Sequence, residues 1–143
     1  MNETTRPFSI QGLDHVVLRI ADLEKSLHFY EELLGCPVEK RQENIGLIQL
    51  RAGTALIDLV PIDGKLGAMG GAAPGDEGRN IDHFCLQVES FDEARILEWC
   101  RRHGIKVIGE VGTRYGALGA GLSVYIEDPD GNQVELKGPP DAS

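Results

Sequence analysis

Two stretches of this chain set an Asp-His pair at the mouth of an apolar run: "LDHVVL" at residues 13–18 and "IDHFCL" at 81–86. An imidazole carried into an apolar strand needs a partner for each ring nitrogen or is desolvated at a cost, so the same pair used twice calls for one explanation. The explanation widens when the last strand-like run of each half is superposed. "ALIDL" at 55–59 then lies on "NQVEL" at 132–136, which sets Asp58 opposite Glu135. Each half thus offers one imidazole, His15 or His83, and one carboxylate, Asp58 or Glu135. Two neutral imidazoles with carboxylates suit a divalent transition ion, and two His with one carboxylate already leave coordination positions open. Nickel, zinc, manganese, iron and cobalt all accept such donors. A single strand histidine is ordinarily a hydrogen-bonded core or edge residue, and a single strand acid is ordinarily solvated. Their recurrence at equivalent places carries the reading.

The elements that must position these four residues repeat as well. With His15 laid on His83, Leu18 meets Leu86, Ile20 meets Val88 and Asp22 meets Ser90. A helix follows each pair: Asp22 can cap the first, and Ser90 with Glu93 forms a capping-box pattern for the second. Leu23, Leu27, Tyr30 and Leu34 fall at helical spacing in the first, as do Phe91, Ala94, Leu97 and Cys100 in the second. Gly35 and Gly104 stand where helix C-terminal caps belong. Strand-like runs follow at 37–42, 45–51 and 54–60, then at 105–111, 122–128 and 132–137, the last joined by the turn "DPDG". Each half is a βαβββ module with one apolar face that it cannot bury alone, so the fold class is α+β and two modules must combine, within a chain or between chains. The organisation expected is one domain over 10–138, with module 1 at 10–63, a flexible glycine-rich connector at 64–80 and module 2 at 81–138. The stretch "GTRYGALGAG" at 112–121 reads as an irregular loop over a site.

Strand alternation puts His15 on one face with Val17 and Arg19, and His83 on one face with Cys85 and Gln87. Asp14 and Asp82 read as strand-entry residues. Gln49 precedes Asp58 by nine residues and Tyr125 precedes Glu135 by ten, so regular hairpins set both on neighbouring strands facing the ion. Arg19, Gln49, Tyr115 and Tyr125 are the candidate substrate contacts. His28 falls on the polar helix face and His103 near a helix end, and neither is expected to be a ligand.

The chain has 143 residues, 41% of them hydrophobic, and a net charge of -9, a balance that disfavours nucleic acid and anionic membranes. Three cysteines without C-x-x-C spacing argue against a disulfide framework, and no apolar run reaches membrane-spanning length. A cytoplasmic protein acting on a small molecule is expected.

Taken together, "LDHVVLRIADLEKSLHFYEELLG", "IDHFCLQVES" and "SVYIEDPDGNQVEL" resemble the vicinal oxygen chelate superfamily, which includes glyoxalase I, extradiol ring-cleaving dioxygenases and the fosfomycin- and bleomycin-resistance proteins. The resemblance implies paired βαβββ modules forming a cupped mixed sheet, helices outside, around a divalent ion, commonly in a homodimer. It also implies that Arg19 stands where glyoxalase I holds glutathione and that Asp58 replaces its usual Glu. Ile62 stands where that enzyme tends to have Asn, a departure from the glutathione pattern.

Three functions fit these residues. One is a glyoxalase-like lyase or isomerase acting on a small carbonyl substrate such as a 2-oxoaldehyde thiol adduct, with Glu135 as base and Asp58 supporting it. The second is an iron-dependent ring-cleaving dioxygenase using His15, His83 and Glu135. The third is a non-catalytic binding or resistance protein. Four ligands favour the first.

Overall fold

The computed structural model describes residues 6–140. Its elements run β1 (His15–Ile20), α1 (Leu23–Leu27), β2 (Val38–Gln42), β3 (Leu47–Ala52), β4 (Ala55–Pro61), β5 (Phe84–Gln87), α2 (Glu93–Arg102), β6 (Val107–Gly116), β7 (Gly119–Glu127) and β8 (Gln133–Lys137). Two four-stranded mixed sheets result, in the order β1-β4-β3-β2 and β5-β8-β7-β6, so the expected α+β fold of two βαβββ modules holds. In each, the first strand is parallel to the fourth and the remaining pairs are antiparallel. The first and second strands of each module run the same way at opposite edges of its sheet, so a crossover must join them, and the helix supplies it.

Asp22 caps α1, its carboxylate accepting from the Lys25 N–H at 3.1 Å. The helix then widens into a π-helical segment, His28–Leu33, and ends at Gly35, whose φ of 79° only glycine adopts without cost. The cap of α2 is Asp92, which accepts from the Arg95 N–H, and not Ser90. The expected capping box is therefore displaced: Glu93 is the first helical residue, and Ile96 and Cys100 pack on the core. An aspartate immediately before the helix outcompetes a serine two residues earlier, because its carboxylate reaches the orphan N–H groups with a full charge.

Two further expectations change. Residues 112–121 are not an irregular loop but the outer half of the β6–β7 hairpin, with Tyr115 opposite Ala120 and Gly116 opposite Gly119. Glycines that read as loop residues serve a long ribbon whose register shifts between Ile108 and Gly112. The connector, too, is anchored. The Arg19 guanidinium donates from Nε to the Gly67 carbonyl at 3.0 Å, from Nη1 to Ala72 at 2.9 Å and from Nη2 to Gly71 at 2.8 Å. Asn80 then doubles back on β1, accepting from the Arg19 N–H and donating to its carbonyl.

One apolar cluster spans both modules, joining Leu18, Ile20, Phe29, Tyr30, Ile57 and Leu59 to Cys100, Ile105, Ile126 and Val134. A polar lock fastens it. The fully buried Tyr30 donates its O–H to Asp128 at 2.6 Å, and Asp128 also accepts from the Asn132 backbone and side chain. Asp130, in the same turn, accepts from the Ala21 N–H at 2.9 Å. Burial and the neighbouring Asp128 charge hold the Tyr30 phenol well above its ordinary pKa, so it remains a donor. Among the described residues, no helix is long and apolar enough to cross a membrane.

Candidate metal centre

Each module builds the same three-part unit. On β1, His15 Nδ1 lies 2.7 Å from Asp14 Oδ2, and its Nε2 lies 3.9 Å from Asp58 Oδ2 on β4. At the start of β5, His83 Nδ1 lies 2.7 Å from Asp82 Oδ2, and its Nε2 lies 3.5 Å from Glu135 Oε1 on β8. A carboxylate can only accept, so Nδ1 of each ring donates to its neighbour, while Nε2 faces the second carboxylate beyond hydrogen-bond contact and is the ring nitrogen left for a ligand. Asp14 and Asp82 therefore do more than start strands: they fix the tautomer and orientation of the rings, as the outer carboxylates of metal-ligating histidines do. The doublet itself was the signal for this role. Asp14 and the Asp58 charge, in that order, raise the His15 pKa, and the His83 hydrogen bond depresses that of Asp82.

The expected strand pairing holds. Gln49 is the cross-strand partner of Asp58, and Tyr125 is that of Glu135. Gln49 donates its amide to both Asp58 oxygens, at 3.2 and 3.3 Å, and takes a hydrogen bond from Gln42 at 3.2 Å. Tyr125 stands edge-on to His83, ring centres 5.2 Å apart, and its phenol pKa is raised by burial and then by the Glu135 charge. Gln42 escaped sequence reasoning because nothing in its spacing marks a side-chain relay.

Asp58 and Glu135 are 3% and 6% exposed, and among the described residues no Lys or Arg pairs with either. Two buried carboxylates, each facing an imidazole and neither paired with a Lys or Arg, make a donor set that fits a divalent cation. The four residues do not converge within one chain. Among the described residues no group of three or more His, Cys, Asp or Glu could hold an ion, and the four residues stand as two pairs of one imidazole and one carboxylate each.

The other candidates stand apart. All three nitrogens of the Arg19 guanidinium are spent on connector carbonyls. Tyr115 lies near the tip of the β6–β7 hairpin, 87% exposed. His28 bonds Glu32 and His103 packs against Trp99 with its ring tilted. Cys36 and Cys100 are buried, and Cys85, beside Glu135, has its thiol pushed up to about 11 by burial and then by that carboxylate, which keeps it protonated at neutral pH.

Residues 12–136 match the family described as the Glyoxalase/Bleomycin resistance protein/Dioxygenase superfamily. The chain is 30% identical over 126 residues to the lactoylglutathione lyase of Salmonella typhimurium, a match covering 85% of this chain and 88% of that one. It is 31% identical over 137 residues to the glyoxalase domain-containing protein RDO1 of Mycosarcoma maydis, covering 96% and 73%. The crystal structure of virulence protein STM3117 from Salmonella typhimurium superposes with a TM-score of 0.73 at 27% identity, covering 92% of this chain and 99% of that one. By sequence, by module architecture and by fold, the chain belongs to the Glyoxalase/Bleomycin resistance protein/Dioxygenase superfamily.

Proposed function

We propose that this protein is a metal-dependent, glyoxalase-like lyase or isomerase acting on a small carbonyl compound such as a 2-oxoaldehyde thiol adduct. His15 and Asp58 of one copy and His83 and Glu135 of a second would hold the ion. The observation that carries the reading is the twofold Asp–His–carboxylate unit, with Nδ1 tied and Nε2 facing a buried carboxylate in both modules. A divalent ion bound there would supply Lewis acidity toward vicinal oxygens of the substrate.

The chain's own residues do the rest. Glu135, held in a dry strand position beside Tyr125, is the base that moves a proton between adjacent carbons. Asp58 is one methylene shorter and is pinned by the Gln49 amide, so it is the fixed carboxylate of the pair. Tyr125 keeps a protonated phenol beside Glu135.

Assembly from two copies is supported by the strand order. β1 and β5 end their sheets, and Val17 and Leu13 are 48% and 91% exposed on or before β1. Open strand edges and apolar faces of this kind are ordinarily covered. A groove of about 2060 Å³ runs between the modules, past His15, Ile81, His83 and Glu135. That is beyond the size of small-ligand pockets and suits a protein segment.

An oxygen electrode combined with a panel of hemithioacetals and catechols, on the nickel, zinc, manganese, cobalt and iron forms, tests the function. Isomerisation without oxygen uptake is expected, and Glu135→Gln should lose turnover far more than it loses metal. Oxygen uptake with a catechol on the iron form, and no isomerisation on any form, would overturn the proposal in favour of ring cleavage.

A further inference from the structure

The face of β8 that carries Glu135 also carries Lys137, two residues on. Lys137 is 5% exposed, yet its ammonium has a single acceptor, the Gly119 carbonyl at 2.8 Å. An ammonium has three donors, and among the described residues no carboxylate lies within ion-pair distance of this one. Burying a charge so poorly matched is costly. Acidic groups are not scarce, since the chain has 23 of them against 14 Lys and Arg.

The fold does not require the cation. Superposing Asp58 on Glu135 puts Val60, 3% exposed, at the place of Lys137, so the same strand position in module 1 is filled by a hydrocarbon. A second cation lies alongside. Ser123 is the cross-strand partner of Lys137, and Arg114 donates to both the carbonyl and the hydroxyl of Ser123 at 2.8 Å. Its guanidinium stacks over Tyr125, 4.8 Å from the ring centre, and its remaining bond goes to the Glu110 carbonyl at 3.2 Å. The order along the face is therefore His83, Glu135 and Tyr125, then Arg114, then Lys137 beneath the hairpin tip.

We propose that Lys137, with Arg114, forms an oxyanion subsite that takes a carboxylate or phosphate group of the substrate. Two strand residues separate it from Glu135, so the anionic group lies about 7 Å along the face from the oxygens that meet the ion. The inference rests on the metal-site reading above and narrows it to carbonyl compounds bearing a compact anion. Cation and guanidinium together match such a group in charge and hydrogen bonding.

Three hydroxamates, which present two vicinal oxygens, test it on the metal-loaded protein by calorimetry at low salt: acetohydroxamate, the monohydroxamate of succinate, and phosphonoacetohydroxamate. At least one anionic probe should bind about tenfold tighter than the neutral one, and which one distinguishes carboxylate from phosphate. Lys137→Met should abolish that preference without weakening acetohydroxamate, while Lys137→Arg should keep most of it. Succinate and inorganic phosphate titrated into metal-free protein and followed by NMR read the subsite without the ion. One of them should bind the parent and K137R but not K137M. Equal binding of that probe by parent and K137M, or no binding by the parent, overturns the subsite. Failure of acetohydroxamate to bind the metal-loaded parent overturns the metal-site reading instead, and the metal-free titration still decides the subsite.

Discussion

Replacing Asp14 by Ala removes the only described partner of His15 Nδ1, and replacing Asp82 does the same for His83. Outer carboxylates of this kind contribute about 10- to 100-fold to metal affinity. Here Asp14 and Asp82 are 90% and 79% exposed, so water competes for each ring nitrogen once the carboxylate is gone. The low end of the range applies, about tenfold for each substitution. In the proposed site both rings hold one ion, so the two effects couple through it, and the double variant should lose between about 10- and 100-fold in affinity. The pH dependence has a definite sign. The Asp14 hydrogen bond is the largest cause of the raised His15 pKa, so its loss lowers that pKa and weakens proton competition for Nε2. The affinity defect of Asp14→Ala should therefore be full above the raised pKa and shrink as the pH falls through it. Competition against a chromophoric chelator, from pH 5.5 to 8, measures this. Unchanged affinity in the double variant at pH 8 would refute the orienting role.

Other outcomes follow from the frame around the site. Tyr30→Phe removes a buried hydrogen bond to a carboxylate, worth about 2 kcal/mol. It should lower Tm by roughly 6 °C in a thermal melt while leaving metal stoichiometry unchanged. Arg19→Met frees three connector carbonyls, so limited proteolysis should cut faster between residues 67 and 72. A cut rate equal to the parent's would mean that the guanidinium does not hold the connector. Light scattering at micromolar concentration should report twice the chain mass.

How much of this was legible beforehand depended on whether a residue's role is local or set by strand register. The Asp–His doublets, the two modules and the pairing of Gln49 with Asp58 and Tyr125 with Glu135 follow from alternation and repeat. The contacts of Arg19 were not legible because the face it shares with His15 does not say what crosses it: the connector does, bringing carbonyls to all three guanidinium nitrogens. The glycines of 112–121 looked like a loop because a strand made of small residues lacks a hydrophobic alternation to read. Asp128 and Asp130 read only as turn residues. Their hydrogen bonds to Tyr30 and Ala21 join positions about 100 residues apart, which no local pattern encodes. Nor did the repeat say whether its two halves meet inside one chain; the fold keeps them apart as two pairs.

That separation makes the central claim, a metal site completed by two copies, directly testable by complementation. His15→Ala and His83→Ala chains are each prepared alone, then mixed, dissociated and reassociated. Alone, each variant should lose stoichiometric metal, since every site in its dimer lacks one imidazole. In a mixed dimer one site loses both imidazoles and the other keeps His15 from one copy and His83 from its partner. Random pairing should then restore about one ion per four chains, measured by metal analysis after gel filtration. Metal content that stays at the level of the separate variants would contradict the shared site.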